Sequence, residues 1–512
     1  MKISSFTQIG IATLALTGLL AGCGNTSSTS GTSPKATASS TLVVDEDSDP
    51  STLDPGLQYN TESYTVYRNI FDNLLHRDPK TEKIVPWIAT SWKQQSPTTW
   101  VFTIRKGVKF QNGESLTAND VAFSLQRILN PSLNSPQLSN FSAVKSVSAS
   151  GDTVTITTAQ PDPTLLNELV TLSIVPEQYI KAHGNQYFNL HPVGSGPYEF
   201  VSWVQGSSVT LKANPHYWGG EPSIKNVEFR SVPNDATRIA DLQSGKADIA
   251  FPITPSDVST VKRDSALQVL SVPTERVAYL AFNALGNTPT KSVLVRQAIA
   301  YGIDYKGLIS SLEDGHAQPV KEVLTPIAFG YDNHVAGYSY NPTKAKELLK
   351  EAGYPNGLTL DFDTSPSYDQ RVVQAIQAEL GQIGIKVKID NMDQSTYLEK
   401  VQSPSHNWGS IRMGLWSCAC MDADGTIYPL FHSGTVWSSY SNPKFDAAVT
   451  AARTTTNTAA RLADYQQAFN ILQQDVPGVG LWQVDALYGA TKNLQWTPDA
   501  QENFFVQDMK LQ

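Results

Sequence analysis

The chain is expected to be an α/β protein, on three observations. Stretches with the two-residue period of a strand alternate with stretches of helical period from one end to the other. Several helices carry explicit start and stop residues. In one place a capped helix runs directly into an alternating strand, the order of a crossover unit.

Taken in order, "WVFTI" puts Trp100, Phe102 and Ile104 on one face of a strand, and Lys106 and Gly107 then turn the chain. "LTANDVAFSLQRIL" begins with Thr117 and Asp120 at capping-box spacing and continues with Val121, Leu125 and Ile128 on a helical stripe. "TVTIT", Thr153 to Thr157, alternates like an antiparallel strand with one exposed face. In "NPTKAKELLKEAGYP", Asn341 caps, Pro342 suits the first turn, and Ala345, Leu348, Leu349 and Ala352 form a buried stripe before Gly353 and Pro355 stop the helix. "DQRVVQAIQAELGQIGIKVKID" gives Asp369 as a cap, a helix with Val373, Ile376 and Leu380 on one face, a break at Gly381, and a strand carrying Ile385, Val387 and Ile389. No repeat and no interdomain low-complexity linker separates these pieces. Large domains are therefore expected to be joined by chain crossings, each discontinuous in sequence.

Lys2 is followed by an apolar run from Ile9 to Leu20, too short to span a bilayer and of the length of a secretion signal's core. "LAGC", Leu20 to Cys23, looks like the lipobox of bacterial lipoproteins, in which Cys23 becomes the lipidated N-terminus. The Ser/Thr-rich segment that follows has no large apolar residue to offset its ordering entropy and is expected to be a flexible tether. This places the remainder outside the cytoplasmic membrane, where thiols can oxidise. Lys and Arg number 38 against 47 Asp and Glu, a net charge of −9 with no basic run, which argues against a nucleic-acid partner.

Enzyme motifs are missing. There is no phosphate-cradling G-x-x-x-x-G-K-[ST], no H-E-x-x-H and no G-x-S-x-G, and the eight histidines are scattered. "LWSCACMDADG", Leu415 to Gly425, holds two of the three cysteines. Asp422 and Asp424 would share a face on a strand and could form an acid and base pair, although solvated or loop-capping aspartates are the commoner case. The D-A-D-G run opens like a calcium loop but lacks its later ligands. No metal, cofactor or catalytic residue is expected. Cys418 and Cys420 are open to three readings: a disulfide, two buried thiols, or part of a soft-metal site that would need further ligands.

"VPWIATSWKQQSPTTWVFTIRKGVKFQNGESLTANDVAFSLQRI", Val85 to Ile128, resembles the signature region of the extracellular solute-binding proteins of family 5, which include the dipeptide, oligopeptide and nickel binding proteins of ABC importers. The similarity continues through "DPSTLDP" at Asp49, "GSGPY" at Gly194, "NPHYW" at Asn214, "SGKADIAF" at Ser244, "LAFN" at Leu280, "VRQAIAYGID" at Val295, "AKELLKEAGYPNG" at Ala345 and "SSYSNPKFDAAV" at Ser438. The resemblance implies a two-lobed periplasmic-binding-protein-like (class II) fold with an extra inserted domain. The expected division is a signal peptide at 1–22, lipidated Cys23 and tether at 23–40, lobe 1 at 41–70, 207–285 and 487–512, a small inserted domain at 71–206, and lobe 2 at 286–486.

It also implies that ligand sits between the lobes and that an importer's permease engages the closed form, with no reaction. In peptide-binding relatives a tryptophan-led loop supplies an aspartate to the peptide amine. The matching loop here starts at Trp416, and Ala419 stands where the first aspartate would be, leaving Asp422 or Asp424 as the amine partner. Arg371 falls where relatives have arginines facing the ligand carboxylate, and a bound carboxylate would relieve a cation placed in a helix's first turn; a solvated pair with Asp369 is the alternative. Trp416 is expected as an aromatic wall, Tyr59 and Asn60 as contacts from the facing lobe, and Cys418 and Cys420 as residues that shape the loop. The expected partners are a di- or oligopeptide, the permease, and the membrane through Cys23, with the chain acting as a monomer. Rival cargoes within the same fold are a nickel chelate, haem, glutathione or an oligosaccharide; a lipid-anchored hydrolase using Asp422 and Asp424 is the rival from another class.

Overall fold

The computed structural model describes residues 41–512; the expected signal segment, Cys23 and the tether lie outside the described residues. An eleven-stranded sheet organises the molecule. Its order runs Ile385–Asn391, Leu358–Thr364, Ile411–Trp416, Leu267–Phe282, Gly478–Thr491, Ile249–Ala250, Thr41–Glu46, Asn226–Ser231, Ser208–Ala213 and Tyr198–Val204, with Ala317–Pro319 also pairing Gly478–Thr491.

Two long strands, Leu267–Phe282 and Gly478–Thr491, are common to both halves of this sheet. They pair antiparallel from Leu267 opposite Thr491 to Pro273 opposite Asp485, lose register between Pro273 and Val277, and pair again from Val277 opposite Gln483 to Ala281 opposite Gly478. Pro273 has no N–H to give to a ladder, which accounts for an interruption at this point. On one side of it the neighbour of the pair is Ile249–Ala250, and on the other Ile411–Trp416. Each half is covered on both faces. Ala278, Leu280 and Phe282 join one core while Val277, Tyr279 and Ala281 join another, the alternation that a strand imposes. In the other half, Ala486, Tyr488 and Ala490 face one core and Leu487 the opposite one.

A separate four-stranded antiparallel sheet, in the order Ala89–Ser96, Thr99–Ile104, Thr153–Thr158 and Val144–Ser150, shares a third core with the helix Ala118–Leu129. That helix starts with the expected capping box: Thr117 accepts from the Asn119 N–H at 3.2 Å, and the Thr117 N–H donates to Asp120 Oδ2 at 2.8 Å. This small domain is tied to the first lobe by Arg127, which is paired with the fully buried Asp54 of the "LDP" stretch.

The crossover unit is present as read. Leu358–Thr364 and Ile385–Asn391 are parallel neighbours joined through the helix Gln370–Gln382, and Asp369 caps that helix by accepting from the Arg371 N–H at 2.8 Å. The break differs from expectation: the helix runs through Gly381, and the turn is made at Gly384, whose φ of +93° glycine adopts without a Cβ penalty. Two expected boundaries also differ. The hairpin of Tyr198–Val204 with Ser208–Ala213 straddles position 206 and belongs wholly to the large sheet. The strand Gly478–Thr491 continues through 486 without interruption. Among the described residues no helix is long and apolar enough to cross a membrane.

Candidate functional site

A cleft of about 700 Å³ is lined from three directions. Tyr59 to Glu62 and Tyr64 come from the start of the helix Thr61–Ile70, Asn140, Asp162, Thr164 and Glu168 from segments flanking the four-stranded sheet, and Trp416 to Ala419, Asp424, Gly425, Tyr428, Trp437 and Arg453 from the chain after the strand Ile411–Trp416. Its floor is the interruption of the long strands, Glu275 and Arg276, with Gln501 beside them. The volume suits a small-molecule or short-peptide ligand.

The third of these walls is the loop between the strand Ile411–Trp416 and the helix Asp424–Phe431. Trp416 is fixed by its indole N–H, which donates to Gly425 O at 2.8 Å, and packs edge-on against Trp437 with ring centroids 5.5 Å apart. The Ala419 carbonyl accepts from Gln501 Nε2 at 3.1 Å, which joins the loop to the C-terminal segment. Cys418 and Cys420 form a disulfide, with an S–S distance of 2.01 Å. Loop closure over three residues contributes only about 1.6 kcal/mol in chain entropy, half of the ~3 kcal/mol for a fifteen-residue loop. One carboxylate oxygen of Glu168 lies within 4.8 Å of both sulfurs. Joined to each other, the two sulfurs offer a metal no thiolate.

Asp422 and Asp424 do not act as a pair. Asp422 is 1 % exposed behind the wall; both its oxygens accept from Arg461 Nη2 at 2.8 Å, and Oδ1 also accepts from Tyr465 at 3.0 Å. It is structural, and neither amine recognition nor acid–base chemistry is open to it. Asp424 begins a helix and faces the cleft. The expectation of a shared strand face fails because the chain leaves the strand at Trp416.

Arg371 does not line the cleft. Its side chain is 54 % exposed and its guanidinium is engaged by Asp369, Nη2 to Oδ2 at 2.6 Å, so the solvated alternative is the arrangement found and the carboxylate role is set aside. Tyr59 and Asn60 both line the cleft; the Tyr59 hydroxyl accepts from Arg68 Nη2 at 3.3 Å, and Asn60 Nδ2 donates to Glu62 at 2.5 Å. The motif reading missed Glu168, Glu275, Arg276, Arg453 and Gln501. Only "ERV" at Glu275 left a trace, as two charges interrupting an apolar strand.

Electrostatically the cleft is acidic, with Glu62, Asp162, Glu168, Glu275 and Asp424 against Arg276 and Arg453. Arg276 is paired with Glu502 at 2.7 Å. Arg453 Nε stands 3.0 Å from Asp424 Oδ1 but out of hydrogen-bond alignment, its guanidinium lying over the Tyr428 ring at 3.8 Å. Oε2 of Glu168, Oε2 of Glu275 and Oδ1 of Asp424 accept no hydrogen bond. Burial pushes Glu168 up to about 8, Asp424 to about 7 and Glu275 to about 7. Unfolded, such carboxyls titrate near pH 4. Between about pH 4 and 8 the folded ligand-free chain therefore holds more protons than the unfolded chain, and these groups withdraw stability as pH rises through that window. The urea midpoint of the ligand-free protein is expected to fall less between about pH 5.5 and pH 8 in a Glu168→Gln, Asp424→Asn variant than in the parent; parallel curves would refute the assignment.

Comparison with known proteins agrees with this architecture. Residues 83–438 match the model of the family "Bacterial extracellular solute-binding proteins, family 5 Middle". The glutathione-binding protein GsiB of Salmonella choleraesuis is 30% identical, with 93% of this chain and 96% of that protein covered. Heme-binding protein A of Haemophilus influenzae is also 30% identical, over 94% of this chain and 93% of its own. Among solved structures, the periplasmic binding protein DppA of Helicobacter pylori in complex with the peptide STSA superposes with a TM-score of 0.77 at 26% identity, covering 92% of this chain and 98% of that one. A mixed α/β chain with one sheet shared by two halves, a small added domain and a cleft at their junction belongs to the bacterial extracellular solute-binding proteins of family 5, the binding components of ABC importers.

Proposed function

We propose that the cleft captures short peptides through a free α-amine and presents them to an importer's permease. The observation that carries this reading is the set of cleft carboxyls, foremost Glu168, one oxygen of which is buried without a hydrogen-bond partner, with Asp424 beside Arg453 as the second. A buried carboxyl lacking a partner is costly, and an ammonium group supplies three donors and the opposite charge. The substitution at Ala419 moves the anionic contact along the loop to Asp424 and across the cleft to Glu168. Relatives named for glutathione and a structure holding the peptide STSA support a peptide cargo.

The domain division is proposed on the same footing. Lobe 1 is built on Thr41–Glu46, Asn226–Ser231 and the hairpin from Tyr198; the small domain on the four-stranded sheet; and lobe 2 on the strands from Leu358 to Trp416. The interrupted pair of long strands serves as the hinge, so ligand contacts on both walls favour closure. One chain supplies every wall, in keeping with a monomer. Lipidation of Cys23 would hold the receptor at the outer face of the membrane.

Calorimetry with a free-amine peptide and its N-acetylated form tests the reading. Glu168→Gln is expected to weaken the free-amine peptide by about ten-fold or more, the worth of one charge-assisted hydrogen bond, and to leave the acetylated form unchanged. Equal affinity of the parent protein for both peptides would overturn the amine role.

A further inference from the structure

We propose that Cys418 is a site of reversible thiol–disulfide exchange with a thiol-bearing peptide or amino acid held in the cleft. The inference rests on reading the cleft as the solute site and specifies the class of solute. Cys418 is half-buried and lines the cleft, whereas Cys420 is 1 % exposed behind it. A ligand sulfur can therefore reach one end of the disulfide. A three-residue ring is a weak staple for the fold, and an accessible disulfide is the labile kind.

The surroundings suit the exchange. The Cys420 N–H donates to Cys418 Sγ at 3.3 Å, polarising the sulfur to be attacked. Cys420 Sγ lies 3.7 Å from the Asp422 carbonyl, an acceptor ready for a released thiol. The Glu168 carboxyl, within 4.8 Å of both sulfurs, is positioned to pass the proton. Gly425 faces the disulfide, and a Cβ there would overlap both sulfurs.

The step balances without an outside oxidant. The ligand thiolate attacks Cys418 Sγ; the Cys418–Cys420 bond breaks, and its electron pair leaves on Cys420 Sγ, which takes the proton given up by the ligand. The ligand sulfur is oxidised to a mixed disulfide as Cys420 is reduced to a thiol. Attack of Cys420 on Cys418 reverses both changes and releases the ligand intact.

The test uses the full chain with its disulfide intact, mixed with cysteinylglycine, glutathione or free cysteine, each beside its S-methyl counterpart, with 2-mercaptoethanol as a thiol that lacks cleft contacts. Iodoacetamide quenching and peptide mapping without reductant locate any adduct and separate Cys418 from Cys23. The expected result is a ligand adduct on Cys418 with alkylated Cys420, formed about ten-fold or more faster than by 2-mercaptoethanol because the cleft concentrates the thiol, and suppressed by excess S-methyl ligand. Binding of S-methyl and thiol forms alike in calorimetry with no adduct would overturn the exchange and leave the peptide-receptor reading standing. Adduct formation no faster than with 2-mercaptoethanol would also overturn it. No binding and no adduct from any of the three pairs would overturn both. A Cys418→Ala, Cys420→Ala variant with the parent's circular dichroism spectrum and a cooperative urea transition shows that its loss of the adduct is not loss of fold.

Discussion

Replacing Asp422 by alanine is expected to lower folding stability by about 3–5 kcal/mol, the range for a buried ion pair broken on one side. Arg461 is 5 % exposed, and its guanidinium would keep hydrogen bonds to Tyr465 Oη at 3.0 Å and to the Ala452 carbonyl, which accepts from Nε at 3.0 Å, and the Phe329 ring at 4.5 Å, but no counter-charge. The charge would remain in a core containing Ile427, Phe445 and Phe469. Chemical denaturation checks the figure, and a double variant with Asp422→Leu and Arg461→Met should recover most of the loss, because no uncompensated charge is left. A single variant within about 1 kcal/mol of the parent would show that the pair behaves as a solvated one.

Arg127→Met should be of comparable size, about 3–5 kcal/mol, with the anion stranded instead. Asp54 is fully buried; it accepts from Arg127 Nη1 at 2.8 Å, from Nη2, and from the Gly56 N–H at 2.9 Å. Arg127 also donates through Nη2 to Asn185 Oδ1 at 2.9 Å, so its removal loosens the attachment through Asp54 and a contact between two helices of the small domain. Limited proteolysis should find the small-domain segment cut before the large sheet, and equal rates of cutting in parent and variant would count against this role.

Regular elements were legible wherever local chemistry dictates them. Thr117 and Asp120, Asn341 and Pro342, and Asp369 all mark helix starts because capping depends on a few consecutive residues. Gly381 misled because a glycine inside a helix costs stability without ending it, and Gly384 was needed for the left-handed turn. The cleft was legible only on the Trp416 loop and at Tyr59 and Asn60, where contiguous residues carry the wall. Glu168, Glu275 and Arg453 reach it through tertiary contacts between segments distant in sequence, which no local pattern encodes. The fate of Asp422 was hidden for the same reason: its partner Arg461 lies on a helix that gives no sign of facing that loop.

The strand Gly478–Thr491 follows every other strand of the large sheet in sequence, yet it hydrogen-bonds within both halves of that sheet. Until it emerges, Leu267–Phe282 lacks its longest partner, and the cores on either side of the interruption lack Val479, Leu481, Ala486 and Tyr488. Neither lobe can close early on a growing chain, although domains usually fold as they appear. Late closure keeps the chain unfolded and threadable for longer, a useful property in a family whose members work outside the cell.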